Sequence, residues 1–427
     1  MLVEFTVENF LSFKEPNTLS MVAGALKEFP GHTFTYEPAQ AARARPIPLL
    51  KSVAIYGANA GGKTNLIKAM EFMRQMVLHS SKDSQAGEPI PHTPFLLNPG
   101  SQDAPCLMEV VFVHADVRYR YGFSLDRDWV HEEWLFAAPK GREARLFVRS
   151  AGEFEFGKGL TRISGLEEKT RENALFLSVA AQFNQPDAKK ILQWFSDMQI
   201  VMPEHDVPGR SISFLENAEQ RDRVSTFVRL ADDSISKLGI DEVEMPLSEL
   251  PDYFKDQISK DETNVSMNKL VSHHPVYNDN GEKVGQEKFD FFNESKGTRR
   301  LFYLAGPILF ALDHGATLVV DELECSLHPK LTQFVIDIFH SEKANPNNAQ
   351  LIFATHDLTL FSRKFFRRDQ LWMVKKDDVG DSELYALSDF QVRADASYDK
   401  EYMQGRYGAV PVVKEALGVF GGKNGQG

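Results

Sequence analysis

Apolar positions alternate from the start of the chain. Val3, Phe5 and Val7 are interleaved with Glu4, Thr6 and Glu8, which predicts a half-buried strand. A second strand, Ser52–Tyr56, runs into a glycine-rich turn, and behind it Leu66, Ala69, Met70, Met73 and Val77 recur at helical spacing. Proline, asparagine and glycine mark 93–105 as a loop. Strands then alternate over Cys106–His114, 118–125 and 132–137, the pattern of an antiparallel side sheet. Helical patterns occupy 172–183 and 188–197, and a mostly helical insert runs on to about residue 258, cut by Pro203, Pro208, Pro246 and Pro251. It lacks the long heptads of a coiled-coil arm. Residues 241–262 are acidic and read as a solvated surface. Asn280-Gly281 supplies the turn of a hairpin over 273–292. A helix follows over 297–312, and the short β-branched runs Thr317–Val320 and Gln350–Ala354 suit central strands of a covered sheet. The end, from Phe420, is glycine-rich and expected to fray. The pattern predicts an α/β fold in three parts: an N-terminal lobe over 1–165, the helical insert over 166–265 and a C-terminal lobe over 266–427.

Composition narrows the class. The chain has 427 residues, 42% hydrophobic and 25% charged, ordinary for a protein with two or three compact units and a real core. The apolar runs are strand-length, so no membrane span is expected. The chain opens on a strand pattern instead of a signal or transit peptide. Its two cysteines, Cys106 and Cys325, stand far apart, which fits a reducing cytoplasm better than a disulfide framework or zinc site. The net charge of −12 argues against a surface that grips nucleic acid everywhere. Any such contact must be local or made through a partner. The candidate patch is Arg363, Lys364, Arg367 and Arg368, whose plainer reading is a solvated face.

The chemistry begins at Gly57-Ala58-Asn59-Ala60-Gly61-Gly62-Lys63-Thr64, a G-x-x-x-x-G-K-[ST] P-loop between a strand and a helix. Backbone N–H groups there wrap phosphates where a Cβ would obstruct, and the helix N-terminus favours the anion. Lys63 is expected to reach the β- and γ-phosphates of ATP, Thr64 to ligate Mg²⁺, and Asn65 to lie in the same site. Downstream, the strand Thr317–Val320 ends in Asp321-Glu322. Asp321 is expected to hold the metal through water. Glu322 is expected to orient and deprotonate the attacking water.

Further motifs resemble those of ABC-type ATPases. Asn293-Glu294-Ser295-Lys296-Gly297-Thr298 resembles the signature, with Ser295 and Gly297 in its S-x-G core; a plain helix N-cap would look the same. Ser326-Leu327-His328-Pro329 resembles the D-loop. His356, ending the strand Gln350–Ala354 after Thr355, resembles the switch histidine that meets the γ-phosphate. The order of the four motifs is more specific than any one, and it predicts an ABC-type P-loop NTPase head: a mixed sheet core, an antiparallel side sheet and the helical insert. In that family two heads sandwich two ATP molecules, each site completed by the partner's signature.

The resemblance narrows again at Glu8-Asn9-Phe10-Leu11-Ser12-Phe13, which is similar to the opening of the RecF/SMC-like branch. Glu172-Asn173-Ala174-Leu175-Phe176-Leu177-Ser178 and the Gly405-Arg406-Tyr407-Gly408-Ala409-Val410-Pro411 run resemble bacterial antiphage defence ATPases of the RloA and abortive-infection type. This implies an ATPase that responds to a phage trigger and controls a separately encoded effector, a nuclease of TOPRIM or RloB type. The family more often has glycine where Ala60 stands, and the Q-loop is sought near Phe95. About seventy residues follow His356, too few for a fused nuclease domain. Asp377, Asp378 and Asp381 read as a solvated turn. The alternatives are a RecF-like DNA-repair ATPase and a scaffold that binds ATP without turnover.

Overall fold

The computed structural model describes residues 1–38, 45–161, 163–203, 209–246, 264–393 and 397–410. Residues 247–263 of the acidic stretch, Pro208, Pro251, Pro411 and the glycine-rich end lie outside them.

Among the described residues eighteen strands follow one another along the chain. The first are β1 (Leu2–Glu8), β2 (Asn17–Ser20), β3 (Thr33–Tyr36), β4 (Ile47–Leu50) and β5 (Ser52–Tyr56). Next come β6 (Cys106–His114), β7 (Val117–Leu125), β8 (Val130–Ala138), β9 (Ala144–Ser150) and β10 (Glu153–Phe156). After β11 (Gln199–Val201) come β12 (Lys237–Pro246), β13 (Asn264–Tyr277) and β14 (Lys283–Asp290). The last are β15 (Thr317–Val320), β16 (Gln350–Ala354), β17 (Leu371–Lys376) and β18 (Ser382–Ala386).

The central sheet has the order β11-β15-β16-β5-β17-β18, parallel except for the last pair. Every residue of β5, β15 and β16 is buried, as expected where both faces are covered. The two-residue period of a strand divides them between two cores. Val53, Ile55, Val319 and Ile352 face a core shared with the side sheet and the helix Lys63–His79. Ala54, Tyr56, Leu318, Val320 and Phe353 face a second core under the helices Lys296–His314 and Pro329–His340. The side sheet is antiparallel throughout, in the order β10-β9-β8-β7-β6-β1-β2. The mixed core, side sheet and P-loop make an ABC-type P-loop NTPase head.

Helices of the central stretch are shared between the two cores. Pro186–Asp197 packs Trp194 and Phe195 against Phe112 of the side sheet. Gly209–Glu216 and Ala218–Val228 instead join the second core. The helical pattern then stops. β12 pairs with β13 from Lys237↔His273 onward, and Leu238, fully buried, takes its place in the second core. β11 also departs from a helical reading, because it adds itself to β15 beside Asp321.

Helix Lys296–His314 contains Pro307. Ser211 Oγ enters the ladder just before it, donating to Phe302 O (2.5 Å) and accepting from Gly306 N (2.9 Å). A hydroxyl in that position satisfies both backbone groups at an interrupted turn. A Cβ on Gly306 would come within 2.5 Å of Ser211 N, so the close approach requires glycine.

Candidate active site

The P-loop leaves β5 and enters the helix Lys63–His79 through backbone that glycine makes possible. Gly62 has φ +120°, and a Cβ there would lie 2.5 Å from Ser382 Oγ. Ser382 Oγ donates to Gly61 O (2.9 Å) and sits 2.8 Å from Ser12 Oγ, which in turn accepts from Asn65 Nδ2 at 2.7 Å. The motif at 8–13 therefore braces the loop from behind. Its Asn9 pins the 93–105 loop, accepting from Phe95 N and donating to Ser101 O and Ala104 O. Phe95 itself is buried, 1% exposed.

A cleft of about 440 Å³ opens over the loop. Asn59, Ala60, Gly61, Gly62, Lys63, Thr64 and Asn65 line one side, with Asp321, Glu322, His356 and Lys376 opposite. Gly57 and Ala58 lie beneath, their carbonyls accepting from Lys63 Nζ at 3.0 and 3.3 Å. Burial lowers the Lys63 pKa, against the pull of Asp321, Glu324 and Glu322. Parallel pairing explains the convergence, since β15, β16 and β5 all end at the same edge.

Thr64 Oγ1 donates to Asp321 Oδ2 at 2.8 Å, while Asp321 Oδ1 is buried without a hydrogen-bond partner among the described residues. A buried carboxylate oxygen left without a donor, beside a hydroxyl, is a fit donor set for a hard cation such as Mg²⁺. Glu322 is exposed, and its backbone is left-handed at φ 49°. Desolvation and then the Lys63 ammonium hold the His356 pKa below its usual value.

Ser295 and Gly297 do not line this cleft. Ser295 caps the helix Lys296–His314, accepting from Thr298 N at 3.1 Å. A Cβ on Gly297 would lie 3.0 Å from Ser326 O, so signature-like and D-loop-like segments adjoin.

Three residues of the site escape the sequence patterns. Arg300, buried on the helix behind Ser295, donates through Nη2 to the carbonyls of Asp321 and Glu322, both at 3.2 Å. Glu324 Oε1 accepts from His356 N at 2.6 Å, fixing the start of that loop. Lys376 reaches the cleft only because β17 pairs with β5. The acidic run Asp321-Glu322-Leu323-Glu324 was a readable signal; an arginine on an apolar helix face and a lysine at a distant strand end were not.

The predicted basic patch needs correction. Arg367 is 2% exposed, paired with Asp369 at 2.7 Å and donating to the carbonyls of Gly24, Leu26 and Glu28. A guanidinium fixes those backbone acceptors in the interior, so it is unavailable to a phosphate.

Fold and cleft together define a P-loop NTPase head of the ABC type. The chain belongs to the family described as "AAA domain, putative AbiEii toxin, Type IV TA system", whose model matches residues 52–197 and 199–362. Among solved structures it is similar to an SMC head domain from Thermotoga maritima, at 14% identity over 90% of this chain and 98% of that one, with TM-score 0.38. It is also similar to the recombination mediator protein RecF, at 13% identity over 90% and 98% of the two chains, with TM-score 0.36. A third is the Smc head domain with an extended coiled coil bound to the C-terminal domain of ScpA, from Pyrococcus furiosus, at 12% identity over 95% and 98%, with TM-score 0.36. No curated protein matches the chain. Among the described residues no helix is long and apolar enough to cross a membrane.

Proposed function

We propose that this chain is the ATP-hydrolysing subunit of a bacterial antiphage system of the abortive-infection kind, dimerising around ATP and controlling a separately encoded effector, a TOPRIM- or RloB-like nuclease. The observation that carries the ATPase part is the convergence of Lys63, Thr64, Asp321, Glu322 and His356 on one cleft. The family description supports the defence part.

Each residue has a task the chemistry defines. Lys63 exchanges its carbonyl partners for β- and γ-phosphate oxygens. Thr64 and Asp321 would hold Mg²⁺, which would supply charge neutralisation at those phosphates. Glu322 takes the proton of the attacking water. His356 donates a ring N–H toward the γ-phosphate. Ser295 Oγ already accepts from Thr298 N and lies 2.8 Å from Thr298 Oγ1; with Thr298 as the donor of that pair, the Ser295 proton is free for donation. Since Ser295 stands outside its own chain's cleft, it serves the γ-phosphate held by a second copy. ATP then contacts both chains, and hydrolysis removes the contact that favours the closed pair.

The test is a Glu322→Gln variant, sized by mass photometry with ATP and Mg²⁺ and assayed for phosphate release. The expected result is a persistent dimer with hydrolysis lost; wild-type turnover would remove Glu322 from its role. Co-purification with products of the adjacent genes tests the effector. A nuclease-like partner supports the defence reading, whereas a lone chain whose dimer binds DNA only with ATP moves the assignment to repair.

A further inference from the structure

The strand ends far along the side sheet frame a second cleft, of about 470 Å³, that shares no residue with the nucleotide cleft. Arg45, Arg118, Lys140 and Arg142 line it, over a floor that includes Ile47 and Ala138. Lys140 and Arg142 are exposed on the turn between β8 and β9. Among the described residues only one carboxylate answers these cations. Glu143 lies 3.6 Å from Arg118 Nη2 and is shared with Arg120, 3.2 Å away. Among the described residues Arg45, Lys140 and Arg142 make no ion pair.

Arg45, Lys140 and Arg142 stand exposed round one concavity, a local positive potential on a chain of net charge −12 that draws an anion. The walls come from separate elements: the start of β4, the start of β7 and the turn between β8 and β9. The described lining offers little to read a base: Tyr36 is 4% exposed and its hydroxyl donates to Asp116 O at 2.8 Å. Cations without base-reading groups suit successive phosphates of a sugar–phosphate backbone. We propose that this cleft binds the phosphate backbone of nucleic acid without reading its sequence. The site is independent of the ATPase assignment and would give an acidic protein the local contact that its overall charge denies it.

The experiment is fluorescence anisotropy with a labelled oligonucleotide, single- and double-stranded, titrated across potassium chloride. Three phosphate contacts predict a log–log salt slope of about −2 to −3. Lys140→Glu with Arg142→Glu should weaken binding by about tenfold or more and flatten that slope by about 1 to 2. Both side chains are exposed on a turn, and ATP hydrolysis serves as the folding control. Lys63→Ala should bind the oligonucleotide as wild type does, separating the two clefts. Unchanged affinity in the double variant overturns the proposal. So does displacement of the oligonucleotide by ATP or inorganic phosphate at equal phosphate concentration, which would make the cleft a small-anion site.

Discussion

Ala60 and Glu322 face the nucleotide cleft with left-handed backbone, φ 60° and 49°. For an L-residue this conformation costs about 1–2 kcal/mol. Glycine at 60 removes the cost but gives the unfolded chain about 0.4–1 kcal/mol of extra freedom. Ala60→Gly should therefore stabilise the protein by about 0.5–1 kcal/mol in urea denaturation; a destabilised variant would show that the methyl group packs usefully. A second pair of residues sets a pH dependence. His32 and His340 stack at 3.5 Å between ring centroids, bonded to Gln370 and Ser52 respectively. Burial lowers both pKa values, that of His340 furthest, with His32 and Lys51 adding to it. The unfolded chain, with histidines near 6.5, then binds more protons than the folded one as pH falls below that value. Stability contributed by the neutral pair is present above about pH 6.5 and lost on acidification. His340→Gln should flatten the fall in Tm between about pH 6.5 and 5, measured by calorimetry at matched ionic strength; an unaltered slope would place the protons elsewhere.

At the scale of elements, the helix Lys296–His314 is tied to the end of β15 by the Arg300 guanidinium. Both bonds leave a single nitrogen, Nη2, whose two N–H directions are fixed in the guanidinium plane, whereas a lysine ammonium is free to rotate and does not hold that direction. Arg300→Lys should lower kcat for ATP hydrolysis by about tenfold to a hundredfold while leaving KM within about twofold. Equal loss in both would point to nucleotide binding instead of placement of Glu322. What the sequence disclosed at this scale follows from range. The alternating run of β1, the short runs of β5, β15 and β16 and the helix behind the P-loop are local patterns, and each stands where its pattern indicated. Pairings are not local. β11 is a three-residue strand with no length to show a period, and its place beside β15 depends on residues more than a hundred positions away. Arg367 misled for a similar reason: its charge reads as surface until the carbonyls of Gly24, Leu26 and Glu28 close round it.

Ser295 and Gly297 stand outside the cleft that Lys63, Thr64, Asp321 and Glu322 line. If the sites are shared, defects on opposite halves should complement. Lys63→Ala and Ser295→Arg should each abolish hydrolysis, yet an equimolar mixture should recover about a quarter of wild-type activity, because half the dimers are mixed and each has one sound site. A mixture as inactive as its parts would mean that each chain works alone. The order of the central sheet has a last consequence, for synthesis. β5, which carries the P-loop, is flanked by β16 and β17, both encoded at the other end of the chain. Translation at about 5–20 residues per second separates them by about 300 residues, or some 15–60 s. For that interval a strand that ends fully buried is outside the ribosome without either hydrogen-bonded neighbour, so the nascent chain passes through a period of exposure that a chaperone has reason to cover.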